Sequence, residues 1–402
     1  MNLFSFLKKK PFLSVIFDIR EFSLSMAVVR MSEGKKMEML YCQDFDIEKS
    51  ELSAYKNYTA SLLKALDESL VNIRKTIVKM GVTEELKQFF FFIGSPWIVS
   101  KSKSIKFSKD KNFVINDKLL KRILLGQEAG SQKEVEDEKK HKGWKMLEEN
   151  IIQAKLNGYK VEKIYNKKTK DFEVHLFTSF IPKEISDKIE FYIENKEKGK
   201  PKYHSYSQTL STFTFIRDFF PNKDDFIYVD IGKLITDLYI VRNDIIQGIS
   251  SFPIGEDAIL ENITKKTKTN KEVFLSLLNI KCHNKCDDET EDKIKLILTE
   301  GMKNWSQKFK ETFEKICTEK DTPSDIMMLA KTDFTQLLVK RLSDKNYEHT
   351  LRIYGKKPIF SGLNENILNN FISGGKFFKN QPFIKIDLVF LDKLIKQKAL
   401  YV

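Results

Sequence analysis

The chain has few of the residues that interrupt or cross-link a backbone: its 402 residues include 16 Gly, 9 Pro and 4 Cys. Four cysteines (Cys42, Cys282, Cys286 and Cys317) spread over this length exclude a disulfide framework of the kind small secreted domains need. No apolar run approaches the ~20 residues of a membrane-spanning helix. The densest one, Phe89-Phe90-Phe91-Phe92-Ile93, has the length of a buried strand. A secretory signal is not expected either, because between Met1 and Pro11 the apolar residues are few and precede the lysines. A cytoplasmic protein is the expectation. The phosphate-binding pattern Gly-x-x-x-x-Gly-Lys-Ser/Thr and the dinucleotide fingerprint Gly-x-Gly-x-x-Gly are both missing. None of the five histidines (His141, His175, His204, His283, His349) sits in a catalytic signature, so no catalytic residue is assigned.

What is present is a folding composition, 41% hydrophobic and 31% charged, in a 47.1 kDa chain long enough for two to four domains. Sixty-nine Lys and Arg against 56 Asp and Glu give a net charge of +13. The lysines are scattered and accompany abundant Asn, Ile and Phe, as an AT-rich genome produces, so the charge by itself assigns no partner. The stretch Lys101-Ser102-Lys103-Ser104-Ile105-Lys106-Phe107 could stack bases, but it alternates as an ordinary two-faced strand, and nucleic acid is not an expected partner. Leu3, Phe4, Phe6 and Leu7 followed by three lysines read either as a disordered leader or as a weak peripheral membrane contact. Cys282-His283-Asn284-Lys285-Cys286 holds three soft ligands but lacks a second pair nearby, so a closed zinc site is not expected.

Hydrophobic periodicity divides the chain as a leader (1–11), a first half-domain (12–96), a middle segment (97–205), a second half-domain (206–382) and a C-terminal helix (383–402). Strand patterns at 14–19, 22–29 and 37–45 lead to a helix over 55–80 and then the phenylalanine strand. The middle segment reads as strands at 97–107, 158–165 and 171–179 with helices at 117–128, 146–156 and 182–196. Its run 131–140 has almost no apolar residues and predicts a solvated loop or helix extension. The second half repeats the opening, with a helix at 208–220, strands at 226–232, 236–241 and 245–252, and long helices at 256–280 and 287–317. A strand at 325–330 and a helix at 333–343 follow.

The informative pattern is an internal repeat. Val15-Ile16-Phe17-Asp18-Ile19 matches Ile227-Tyr228-Val229-Asp230-Ile231, and each continues through a tight turn into an alternating apolar strand. A carboxylate at the end of a buried strand, just before a turn, suits Mg²⁺ while turn amides approach phosphate. A carboxylate capping its own turn is the plainer alternative for either residue alone.

These residues resemble the actin-like ATPases of the FtsA/PilM type. Asp230-Ile231-Gly232-Lys233-Leu234-Ile235-Thr236-Asp237 resembles the second phosphate motif, Asp-Ile-Gly-Gly-x-Thr-Thr-Asp, and Ser251-Phe252-Pro253-Ile254-Gly255 the strand that closes on a long helix. Asp18-Ile19-Arg20-Glu21-Phe22-Ser23 stands for the first motif, Asp-x-Gly-x-x-Ser. The resemblance implies an α/β fold of two ribonuclease-H-like lobes with a small inserted α+β (SHS2-like) domain. It implies nucleotide contacts from Asp18, Arg20, Ser23, Asp230, Gly232, Lys233, Thr236, Asp237 and Gly255, with Asp18 and Asp230 as Mg²⁺ ligands and ATP as cofactor. Arg20 and Lys233, however, stand where the family has glycine, whose backbone can approach a phosphate without a Cβ. The adenosine-side glycine pair is replaced by Leu329-Ala330-Lys331-Thr332, and Phe360-Ser361-Gly362-Leu363 offers one glycine. Weakened or lost ATP binding is therefore expected, in a PilM-like scaffold of type IV pilus assembly at the inner membrane that grips a short cytoplasmic segment of a membrane partner. The short C-terminal tail reads as a packing helix, which favours PilM-like over FtsA-like. An FtsA-like tether for a tubulin-like filament in cell division, and an active actin-like ATPase that self-associates, are the alternatives.

Overall fold

The computed structural model describes residues 11–32, 35–48, 55–137, 141–196, 202–220, 224–268, 270–274, 276, 288–317, 323–329, 333–343, 353–354, 358–363, 365–378 and 381–397. The N-terminal leader through Lys10, the Cys282–Cys286 segment, Ala330-Lys331-Thr332 and the last five residues lie outside that set. The chain forms two compact units, one built from 1–219, 366–379 and 383–402, the other from 220–365 and 380–382.

In the first unit β1 (Phe12–Ile19), β2 (Ser23–Met31), β3 (Glu38–Asp46), β4 (Leu86–Ile93) and β9 (Lys202–Ser207) form one sheet in the order β3-β2-β1-β4-β9. The β1–β2 and β2–β3 pairs are antiparallel, while β1–β4 and β4–β9 are parallel. Strand β1 is buried along its whole length, as a central strand covered on both faces must be. Helix α1 (Tyr55–Lys79) covers one face through Tyr58, Leu62, Leu66, Leu70 and Ile73, a stripe at helical spacing that joins the Phe17, Phe89 and Phe91 side of the sheet.

In the second unit β10 (Phe226–Ile231), β11 (Thr236–Arg242), β12 (Ile245–Phe252), β13 (Asp325–Leu329) and β14 (Ile359–Gly362) repeat the arrangement, in the order β12-β11-β10-β13-β14. Its pairings follow the same sense: two antiparallel, then two parallel. The sequence repeat is thus a repeat of sheet topology. Helices α5 (Glu256–Thr267), α6 (Asp288–Gly301), α7 (Lys303–Ile316) and α8 (Asp333–Leu342) pack on this sheet, with Trp305, Phe309 and Phe313 fully buried along one side of α7. The expected continuous helix over 287–317 breaks at Met302, beside Gly301. A Cβ on Gly301 would lie 2.2 Å from Ile263 Cγ1, so this close approach of α6 to α5 requires glycine.

Between β4 and β9 the first unit carries a four-stranded sheet, β5-β8-β6-β7, made of β5 (Val99–Val114), β6 (Trp144–Leu156), β7 (Tyr159–Lys160) and β8 (Lys168–Pro182). Helix α2 (Asp117–Glu136) packs on it through Leu120 and neighbours, and α3 (Lys183–Lys196) leads back to the first sheet. The run 131–137 is largely a continuation of α2, so the helix-extension reading of that segment holds there.

Three expectations fail here. Residues 146–156, read as a helix, are strand β6, paired with β8 on one edge and β7 on the other. Register shifts between Met146 and Glu148 and between Ile151 and Gln153 break the two-residue alternation. The apolar residues then fall at spacings that mimic a helix. Of the strand expected over 158–165, only Tyr159–Lys160 pairs; the rest is turn around buried Ile164. The half-domain expected to begin at 206 also differs: α4 (Gln208–Phe219), directly after β9, belongs to the first unit. The C-terminal helix, α10 (Pro382–Gln397), which follows the single-turn helix α9 (Glu365–Leu368), belongs there too and is buried along most of Phe383 to Leu391, as a packing helix is.

Candidate functional site

Each repeated hairpin closes with the same four-residue turn. In the first unit the Arg20 amide donates to the Ser23 carbonyl at 3.0 Å; in the second the Gly232 amide donates to the Ile235 carbonyl at 2.9 Å. Arg20 therefore occupies the place of Gly232. Directly across each hairpin, Asp18 pairs with Ser25 and Asp230 pairs with Asp237. By this register Ser25 is the counterpart of Asp237, and Leu24 that of Thr236. Ser23 falls instead at the position of Ile235.

Asp18 is 1% exposed, at the end of a strand flanked by β2 and β4. Arg20 Nε lies 3.3 Å from Asp18 Oδ2, and its guanidinium stacks 3.2 Å above the centre of the Phe383 ring at the start of α10. The Arg20 carbonyl accepts from Tyr58 Oη at 2.9 Å and from Trp97 Nε1 at 3.4 Å. Gly94, whose amide donates to the Ile19 carbonyl at 2.9 Å, lies alongside the Arg20 side chain. Backbone, ring and carboxylate thus hold the arginine inward.

Two buried groups join this cluster that sequence reasoning missed. Asp387 on α10 is fully buried, and Ser211 Oγ on α4 donates to its Oδ1 at 2.7 Å. Gln208, also buried, lies beside it at the first position of α4. Burial, with the charge of Asp18 adding to it, raises the Asp387 carboxyl well above the usual carboxylate range; the Ser211 bond and Arg20 oppose that only in part. A single acidic residue within the apolar run Phe383 to Leu391 was the available signal, but nothing local says which carboxylate it faces.

In the second unit the turn is closed by α5. The amides of Glu256 and Asp257 donate to the carbonyls of Gly232 and Lys233, each at 2.9 Å. Gly255 permits this: a Cβ on it would meet Gly232 O at 2.4 Å and Lys233 C and O at 2.5 Å. Thr236 Oγ1 donates to the Ile254 carbonyl at 2.6 Å and accepts from Trp305 Nε1 at 2.9 Å, which ties the threonine into the core. Gly232, Lys233, Thr236 and Gly255 therefore form one contact, with Asp230 and Asp237 buried beside it at 7% and 8% exposure.

Mg²⁺ with ATP fits this arrangement poorly. A metal ligated by Asp18 would share its carboxylate with a guanidinium already 3.3 Å away, and like charge beside a cation is unfavourable. The first amides of α5, the usual phosphate donors at a helix N-terminus, face the turn's own carbonyls. Of the adenosine-side candidates, Gly362 ends strand β14, where a Cβ would lie 3.1 Å from Val339 Cγ1. Elsewhere, Ser104 Oγ lies 2.5 Å from His175 Nδ1, and Glu173 Oε1 2.9 Å from His175 Nε2. Burial keeps this imidazole below its ordinary value, while Lys106 and Lys155, each 3.7 Å from Glu173, share the carboxylate. It is a polar row across β5 and β8, and Phe107 in the same strand packs edge-on against Phe113.

No family model and no curated protein matches the chain. Among solved structures, a PilM-PilN type IV pilus biogenesis complex matches with a TM-score of 0.55 at 10% identity, over 96% of this chain and 98% of that one. The chain has an actin-like fold. A Bacteroides thetaiotaomicron protein with actin-like ATPase fold and unknown function (TM-score 0.35, 13% identity, 67% of this chain, 81% of that one) is more distant. So is the ethanolamine utilization protein EutJ of Carboxydothermus hydrogenoformans (TM-score 0.43, 9% identity, 96% and 90%). Within this fold the two turns are equivalent loops of duplicated sheets, and Asp18 and Asp230 are equivalent carboxylates. No helix among the described residues is long and apolar enough to cross a membrane.

Proposed function

We propose that the chain is an actin-like scaffold of the PilM type, which holds a short segment of a membrane partner and has given up ATP as a switch. The observation that carries this reading is the inward Arg20. The chain's own cation neutralises Asp18 and is locked over Phe383, in the turn where a metal-bound phosphate would otherwise approach. A fixed cation removes the need for an exchangeable one. The unit then keeps its rigidity without nucleotide, which suits a scaffold that grips an extended segment. The burial of α10 supports a PilM-like over an FtsA-like reading, since a membrane-binding helix needs an exposed apolar face.

The test is calorimetry of Mg-ATP with the purified chain, Asp230→Ala and Arg20→Gly. No binding up to millimolar ATP is expected for the unchanged chain, with measurable affinity regained in Arg20→Gly. Micromolar affinity in the unchanged chain, lost in Asp230→Ala, would mean that the turns still work as a nucleotide switch and would refute the reading.

A further inference from the structure

One end of the small four-stranded sheet is a compact basic surface. There β5 bulges out between Ser108, which pairs with Asp171, and Phe113, which pairs with Thr169. The β6–β7 turn is tied to the same place: Asn157 Oδ1 accepts from Thr169 Oγ1 at 2.8 Å and from the Asp171 amide at 3.1 Å. The start of α2 joins through Ile115, whose amide donates to the Lys167 carbonyl at 3.0 Å. These bonds gather three stretches distant in sequence: the bulge with Lys109 and Lys111, the first turns of α2 with Lys118, Lys121 and Arg122, and five lysines between 160 and 170. All ten cations are exposed, against four exposed acids (Asp110, Asp117, Glu162 and Asp171).

Charge is not the whole of it. Leu125 is 65% exposed on the same face of α2 as Lys118, Lys121 and Arg122, and the four residues border one open hollow. Tyr159, 79% exposed, stands just after the β6–β7 turn beside Lys160, and Val114 is 40% exposed at the end of β5. Apolar tips set among cations match the boundary between lipid headgroups and acyl chains, where tyrosine and leucine enter while lysines meet phosphate. A nucleic-acid surface would want aromatic faces laid flat along a groove, and here the nearby rings Phe107 and Phe113 pack on each other.

We propose that this end of the small sheet docks on an anionic lipid bilayer. The contact is independent of the nucleotide turns and of the peptide-holding reading. It gives the basic balance of the chain a local purpose that the scattered sequence pattern hides.

The test is flotation of the full chain with vesicles of phosphatidylcholine alone and of phosphatidylcholine mixed with phosphatidylglycerol. Binding only to the anionic vesicles, weakened by salt, is expected. Each cation near such a surface contributes about fivefold, so Lys118→Gln/Lys121→Gln/Arg122→Gln weakens binding on the order of a hundredfold. Lys167→Gln/Lys168→Gln/Lys170→Gln, on a separate stretch, should do the same, which keeps the test sound if one variant folds badly. Leu125→Ser/Tyr159→Ser should lose the part of binding that survives high salt. Changing Lys8, Lys9 and Lys10 to Gln separates the leader from this surface: loss there, with both triple variants unaffected, overturns the proposal. Equal binding to neutral vesicles, or binding to duplex DNA and not to vesicles, overturns it as well.

Discussion

Glu148 offers a sharp test of how the small sheet is joined to the first unit. It lies on β6 at a register shift, partly buried, and its carboxylate accepts from the Ser207 amide at 2.9 Å and from the Ser207 hydroxyl, at the junction of β9 and α4. Burial pushes this carboxyl up to about 7, outweighing the hydrogen bonds from Ser207, Ser179 and Asn150 that favour the charged form. In the unfolded chain a glutamate titrates near its ordinary value of 4.5. The folded state thus prefers the neutral acid. Its contribution to stability is complete below about pH 4.5 and is lost as the pH rises through about 7. Each pH unit between those two values is worth about 1.4 kcal/mol, so the loss amounts to roughly 3 kcal/mol. Glu148→Gln keeps the shape and one acceptor oxygen but cannot ionise. The variant should be close to the parent at pH 5 and more stable than it at pH 8 by up to roughly 3 kcal/mol. Urea unfolding of both proteins at pH 5, 6, 7 and 8 reads this directly. A difference between the two that stays constant across that range would refute the reasoning, because only a titrating Glu148 makes it change.

Arg20→Ala leaves Asp18 buried without its cation beside Asp387, and a loss of about 3 kcal/mol is expected in denaturant unfolding; Asp18→Asn added to it should restore part of that loss. Gly255→Ala places a methyl against the carbonyls of Gly232 and Lys233, so a lower thermal midpoint is expected, at a cost of about 2 kcal/mol or more; an unchanged midpoint would mean that the α5 start is not packed on the turn.

The sequence alone determined the repeated hairpins. The alternation around Asp18 and Asp230 is a property of a few consecutive residues, and each strand with its tight turn is read locally. The α1 stripe from Leu62 to Ile73, the packing character of the last helix and the resemblance to actin-like proteins rested on the same kind of local pattern. Misreading of 146–156 came from the opposite situation: two register shifts remove the strand period from the sequence, and only pairing with β8 and β7 makes those residues a strand.

What only the tertiary structure decided is what surrounds the carboxylates. In sequence Arg20 could have pointed at a ligand or at the protein. Its direction is set by Phe383, Tyr58 and Trp97, which come from other parts of the chain. Asp387 comes close enough to feel the charge of Asp18, with Gln208 beside it, because α10 and α4 both join the first unit, a consequence of long-range packing that no window of neighbouring residues records. The basic end of the small sheet has the same origin. Its cations are ordinary lysines along the chain, and they form a surface because hydrogen bonds across three distant stretches bring them to one place.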